Sequence, residues 1–310
     1  MAARPTSTLP RAALRVPPRG AAPLTAYVLH RYNWSESSLV LDLFTRERGR
    51  IAVVAKGAKR PYSQQRAVLL PFQNIAVTLG RTVRDEAADE VQNLRGAEWA
   101  GGAAMLTGAA LFSGFYLNEL LMKLLARQDP QPRLFDVYAQ TLPALTGRDD
   151  SRVEAALRAF ELVLLRELGV LPDLSLVTLT QQTVQSEWLY ALQGDVGVVD
   201  GASKGSGNGN GNGNGNGNGN SSGRMGSSGR RDADAPGPGA VLTGTALIGL
   251  EAALQHGSVA ALQQACAGSL PALKVLLRGL IQHQLGSATL RTRQVMLELQ
   301  ALHVVPELPA

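Results

Sequence analysis

Alternation of apolar and polar positions, the mark of half-buried strands, runs along the chain to residue 99, and a helical repeat replaces it from Ala103 onward. Segments 39–44 (Leu-Val-Leu-Asp-Leu-Phe) and 51–56 (Ile-Ala-Val-Val-Ala-Lys) read as short strands rich in branched residues. Between them Arg46-Glu47-Arg48-Gly49 supplies a tight turn, with Gly49 able to take a positive φ. A period of two puts Leu39, Leu41 and Leu43 on one face, and Ile51, Val53 and Ala55 on one face of the partner. Arg50 and Lys56 then share the opposite face with Ala52 and Val54, and the loop after Lys56 adds Lys59 and Arg60. A hairpin apolar on one side and cationic along its edge and tip suits a polyanion. An ordinary sheet with a solvated, charged face is the plain alternative. Further extended segments at 24–30, 68–71, 74–79 and 90–99 complete a set of short strands punctuated by turns. The expected architecture is the five-stranded OB-type β-barrel that binds oligonucleotides.

After Ala103, Leu106, Ala110, Leu117, Leu120, Leu121, Leu124 and Leu125 form a wide apolar stripe. Asp129-Pro130-Gln131-Pro132 stops that helix, and 134–145 begins another. Ser151 with Glu154 reads as a capping box for a helix over 152–168, ended by Gly169 with Pro172 beyond. Residues 188–192 and 196–199 form a small hairpin around Gln193-Gly194-Asp195, and seven Gly-Asn dipeptides then run from Gly207 to Asn220. Helices resume at Thr243: 247–254, 259–266, a longer one capped by Ser269, and 290–302. The longer one buries Leu273, Leu276, Leu277, Leu280 and Ile281. The chain is therefore expected to be a multidomain α+β protein. A disordered basic tail (1–23) precedes a barrel domain (24–99) and a helical domain carrying a small hairpin (100–200). A flexible insert (201–240) then interrupts the helical domain, which ends with 241–304. The uncharged stretch 100–118 is too rich in Ala, Gly, Thr and Ser to read as a membrane span.

Charge sharpens this division. The net charge of the 310 residues is +5, yet the first 84 hold fourteen Lys/Arg against three Asp/Glu, so the remainder is acidic. A basic module joined to an acidic one is the pattern of one part that grips phosphate and another that packs or meets proteins. The single cysteine, Cys266, excludes an intrachain disulfide and a cysteine-rich zinc site, and fits a reducing cytosol. There is no Walker A sequence and no H-E-x-x-H, and the four histidines lie far apart. The G-x-S-x-G match at 201–205 has neither a strand before it nor a helix after it. Glu86/Asp89/Glu90 and Asp149/Asp150 read as solvated loop acids rather than acid–base pairs. No cofactor and no catalytic group is expected.

The nucleic-acid candidates are Arg46, Arg48, Arg50, Lys56, Lys59, Arg60, Arg66 and Arg81, with Arg84 beside them. Lys274 and Arg278, one helical turn apart, and Arg291 and Arg293 are the cations of the last helices. Tyr27, Tyr32, Trp34, Tyr62 and Phe72 are interspersed aromatics able to stack on unpaired bases or to pack in the core. Residue types alone leave both DNA and RNA open as the ligand, and the alternative function is that of an RNA-binding OB-fold protein of translation or RNA turnover.

Five runs carry a resemblance: Tyr27-Val28-Leu29-His30, Trp34-Ser35-Glu36-Ser37-Ser38-Leu39, Asp42-Leu43-Phe44-Thr45, Gly49-Arg50 and Val54-Ala55-Lys56-Gly57-Ala58. Pro71-Phe72, the run 114–121 (Gly-Phe-Tyr-Leu-Asn-Glu-Leu-Leu) and Arg158-Ala159-Phe160-Glu161-Leu162 extend it. Together they resemble the bacterial RecO family of recombination mediators. That resemblance implies an N-terminal OB barrel and a helical C-terminal domain. It further implies binding of single- and double-stranded DNA, strand annealing, and cooperation with RecR and RecF in loading recombinase. A bacterial cytoplasmic, nucleoid-associated location follows, with no membrane partner. It also implies docking of the acidic C-terminal tail of the single-stranded-DNA-binding protein on the helical domain, with Lys123 for its carboxylates and Leu120, Leu121 and Leu124 as apolar neighbours. The four-cysteine zinc ribbon of some members is missing from this sequence, so no metal is expected. The family's basic motif near the last helix keeps only Arg291 and Arg293 within 287–293.

Overall fold

The computed structural model describes residues 22–80, 91–102, 105–193, 196–201, 241–286 and 290–303. The expectations for the basic tail, the Gly-Asn insert, Arg81, Arg84 and Glu86/Asp89/Glu90 lie outside the described residues. Five strands, β1 (Leu24–Asn33), β2 (Leu39–Thr45), β3 (Gly49–Ala55), β4 (Asn74–Leu79) and β5 (Val91–Trp99), close a barrel in the order β1-β2-β3-β5-β4. Only β3 and β5 run parallel. Alternation explains the filling. Leu39, Leu41 and Leu43 meet Ile51, Val53 and Ala55 across the hairpin register, and with Ala26, Val28, Ile75 and Val77 they form the barrel interior. Gly49 sits in the turn at φ +66°, and a Cβ there would lie 1.9 Å from the carbonyl oxygen of Asp129. Both the backbone conformation and the close approach demand glycine.

The expected strand at 68–71 is absent. The short helix α1 (Gln65–Val68) ends there, and Leu69 turns into the barrel core while Pro71 makes a single bridge to Val28. An apolar run with no polar alternation served as a plug rather than a sheet member.

The helical half comprises α2 (Gly108–Leu124), α3 (Pro132–Ala144), α4 (Asp150–Glu167), α5 (Gly244–His256), α6 (Val259–Ala267), α7 (Leu270–Leu285) and α8 (Arg291–His303). Helix α4 lies at its centre, packed on α3, α6 and α7. Its cap is Asp149 rather than Ser151: the Asp149 carboxylate accepts from the backbone N–H of Ser151 at 3.0 Å and of Arg152 at 3.3 Å. A carboxylate one residue ahead of the helix offers both an acceptor and a favourable charge for the helix dipole. The small hairpin exists as β6 (Leu189–Gln193) and β7 (Gly197–Asp200), and β8 (Val241–Thr243) joins the far side of β6. At three residues β8 is too short to show a period.

A second apolar core, separate from the barrel interior, joins the two halves. Outward residues of the barrel wall, Tyr27 and Phe44, pack on Phe135 of α3 with ring centroids 5.4 and 5.3 Å apart, and Tyr27 also meets Tyr138. Asn118 Nδ2 donates to the Leu29 carbonyl at 2.9 Å while its Oδ1 accepts from the Tyr138 hydroxyl at 2.5 Å. The wall expected to be solvated and cationic is therefore covered at this end. Asp42, 3% exposed, accepts from the Arg50 guanidinium at 3.1 Å and lies 3.5 Å from that of Arg127. Arg50 also donates to the carbonyls of Met122 and Leu125, where α2 ends. A cation suits the carbonyl end of a helix. Asp42→Ala would leave Arg50 without its anion in a nearly dry seam, so a loss of about 3 kcal/mol in urea unfolding is expected.

Candidate nucleic-acid interface

The other end of the same wall is open. Tyr32, Val40, Val54 and Asn93 stand side by side in register across β1, β2, β3 and β5 on the outer surface. Val40 and Val54 are half-buried, whereas Tyr32 and Asn93 are exposed, and the His30 ring lies 4.4 Å from that of Tyr32. Lys56 and Arg95, both exposed, come two residues beyond the Val54–Asn93 pair along their parallel strands. The loop after β3 adds exposed Arg60 and Arg66. Lys56, Arg60, Arg66 and Arg95 have no salt-bridge partner among the described residues, so two exposed cations follow the strip along its strands and two more stand in the loop beyond. In OB barrels this strand face and its neighbouring loops take oligonucleotides.

The sequence candidates divide sharply. Arg46 is held by two hydrogen bonds of 2.9 Å to Asp136 of α3, Arg48 donates to Gln92 Oε1 at 3.0 Å, and Arg50 belongs to the seam. Strand spacing groups Arg50 with Lys56 and the turn adds Arg46 and Arg48, but this end of the hairpin meets the end of α2 and α3. Lys59 is half-buried: its backbone N–H donates to the Ser37 carbonyl at 2.9 Å and its ammonium to the Ser35 carbonyl at 2.8 Å. Lys274 pairs with Glu154 at 3.1 Å, and Arg278 follows one turn along α7. These lie on the helical half. Arg95 was not singled out by the sequence reading, although the alternation Val91, Asn93, Arg95 along β5 carried the signal. Arg31, whose guanidinium donates to the Leu69 carbonyl at 3.4 Å, and Arg127 of the seam were likewise missed.

Among the described residues no group of three or more His, Cys, Asp or Glu is placed to hold a metal ion, and no helix is long and apolar enough to cross a membrane. Residues 23–101 match the sequence-family model described as Recombination protein O N terminal, and residues 105–215 match Recombination protein O C terminal. The DNA repair protein RecO of Albidiferax ferrireducens is 42% identical over 278 residues, covering 89% of this chain and 95% of its own. The chain belongs to the RecO family. The proteins of the same name from Polaromonas naphthalenivorans and Paracidovorax citrulli are 41% and 43% identical, each covering 89% of this chain and 96% of its own length.

In this member of the RecO family the helical residues expected to meet a partner tail are rearranged. Leu120 and Leu121 are fully buried in the core and cannot offer apolar contacts, while Leu124 is half-buried. Lys123 lies 3.1 Å from Glu119. Glu119 in turn caps α8: it accepts from the backbone N–H of Arg291 at 2.8 Å and of Thr292 at 3.0 Å, and from the Thr292 hydroxyl at 2.7 Å. Burial pushes the Glu119 carboxyl up, but the hydrogen bonds from Thr292, Arg291 and Lys123 outweigh it and hold the carboxyl below its usual range. A carboxyl with a lowered folded pKa stabilises above its unfolded value and loses that contribution as pH falls through the folded one. Exchange protection of the α8 amides should therefore hold at neutral pH and collapse below about pH 4. Glu119→Gln should weaken it already at pH 7.

Proposed function

We propose that this protein binds single- and double-stranded DNA through the open end of its barrel and anneals complementary strands. With RecR and RecF, it helps load recombinase onto strands coated by single-stranded-DNA-binding protein. The observation that carries this reading is the set of exposed cations Lys56, Arg60, Arg66 and Arg95, on β5 and in the loop after β3, none with a salt-bridge partner among the described residues. Membership in a family of DNA repair proteins supports DNA as the polyanion.

Annealing on such a surface needs no covalent chemistry. Two strands repel through their phosphates, and a rigid array of cations lowers that repulsion while raising local strand concentration. Binding alone does this, without nucleotide turnover. The site of action is then the bacterial cytoplasm, at the nucleoid. On the helical half, Lys123 and Leu124 are the proposed contacts for the acidic tail of the coating protein. Leu120 and Leu121 drop out because they are sealed. Arg291 and Arg293, with Lys274 and Arg278, are proposed as a secondary set of phosphate contacts.

Two measurements test this. The triple variant Lys56→Glu/Arg60→Glu/Arg66→Glu should lower the slope of log affinity against log salt on single strands by about 2, from roughly 0.7 per lost contact. An unchanged slope would remove the barrel from the mechanism. Annealing of complementary oligonucleotides coated with their binding protein should proceed in nucleotide-free buffer. It should slow when that protein lacks its C-terminal tail.

A further inference from the structure

Two loops at the open end of the barrel hold aromatic rings out in water although the loops themselves are well bonded. In the loop between β1 and β2, the backbone N–H groups of Trp34 and Ser35 donate to the Ser38 carbonyl at 3.3 and 3.4 Å, and Ser38 N–H donates to Ser35 Oγ at 3.1 Å. In the loop after β3, successive turns run from Arg60 N–H to the Gly57 carbonyl at 3.1 Å, from Ser63 to Arg60 at 3.0 Å and from Arg66 to Ser63 at 3.2 Å. Lys59 stitches one loop to the other through the Ser37 and Ser35 carbonyls. The result is one continuous rim.

On that rim Trp34 is 71% exposed and Tyr62 98% exposed. A folded chain gains by burying rings of this size, and here the loops are ordered yet leave both rings uncovered. Of the other candidate aromatics, Tyr27 and Phe72 are buried where the barrel meets the helices, while Tyr32 lies on the adjoining strand face rather than in either loop. Exposed Trp99 pairs with Ile75 on a different stretch of the barrel, and exposed Trp188 immediately precedes β6 of the small sheet, so neither shares this rim. Around the rim stand Lys56, Arg60 and Arg66, and Glu36 is the one acid in either loop sequence.

We infer that Trp34 and Tyr62 are a base-stacking site that takes unpaired nucleobases while the neighbouring cations take phosphates. The inference rests on the DNA-binding reading and specifies the state of the strand that this end of the barrel prefers. Bases in a duplex are already stacked on each other, so only unpaired ones gain a partner here. Stacking uses the face of a base and leaves its pairing edge in water. A strand held this way stays open to its complement, which suits annealing. Lys59 positions the rim, since its ammonium is already engaged by the Ser35 carbonyl.

The test uses the full chain carrying Trp99→Phe and Trp188→Phe, so that Trp34 is its only indole, and two probes with equal numbers of phosphates: oligothymidine and an abasic oligonucleotide. Oligothymidine should quench the Trp34 fluorescence and the abasic strand should not. Trp34→Ala/Tyr62→Ala should weaken oligothymidine binding by at least about fivefold per ring, with abasic affinity and salt slope unchanged. Trp34→Phe/Tyr62→Phe should keep most of the preference for bases. Equal oligothymidine affinity in the alanine variant, or an equal loss on both probes, would overturn the stacking site while leaving DNA binding intact. Failure of the unsubstituted chain to bind either probe would overturn the DNA-binding reading and this inference with it.

Discussion

The barrel and the helices are held in one arrangement by a carboxylate with nowhere else to go. Asp42 is nearly dry, so its charge must be met, and Arg50 and Arg127 meet it from the two sides of the seam. Arg50 simultaneously answers the open carbonyls at the end of α2, so the same guanidinium closes a helix and joins two domains. Asn118 makes a second polar tie on the same wall, between Leu29 and Tyr138. With Tyr27, Phe44, Phe135 and Tyr138 packed around these ties, this part of the barrel's outer wall is withdrawn from solvent. The strip from Tyr32 to Asn93 and the loops at its end stay open. The seam therefore decides where the open surface lies.

Much of the fold could be read from pattern. Leu39, Leu41, Leu43 and their partners Ile51, Val53 and Ala55 alternate so strictly that one register of the hairpin buries them all. The helical stripe through Leu117, Leu120 and Leu121 was equally plain. Elements that depend on something other than period were missed. The segment Val68-Leu69-Leu70 has the composition of a strand but the job of a plug, and β8 is defined only by the presence of β6. Asp149 took the cap from Ser151 because position and charge outweigh the motif that Ser151 completes with Glu154.

The candidate site was half legible, for a specific reason. Charge density along the chain puts the cationic excess in the first domain, but it assigns the same value to Arg50 in the seam as to Lys56 in water. Whether a cation is available depends on what packs against its strand from residues far away in sequence, such as Asp136 for Arg46. Arg95 shows the converse: it follows on the strand that pairs with β3 just before Lys56, and that parallel pairing leaves no local trace. The family motif around Asn118 and Glu119 also takes on a physical meaning. Asn118 fastens the barrel and Glu119 fastens α8, so neighbouring residues hold the first and last described elements to the same helix.

The three-stranded sheet has a geometric corollary for the low-complexity region. Asp200 pairs with Tyr190 and Val241 pairs with Ala191, so the two points where the chain departs from and rejoins the sheet flank adjacent residues of β6. Strand spacing separates them by about 10 Å, a gap that roughly four residues can span. The register of the described residues asks for no more than that between Gly201 and Val241. Closing a longer excursion costs only about 0.6 kcal/mol per doubling of its length. The fold thus contains a port at which sequence can expand, contract or carry foreign cargo while the sheet beside it stays whole.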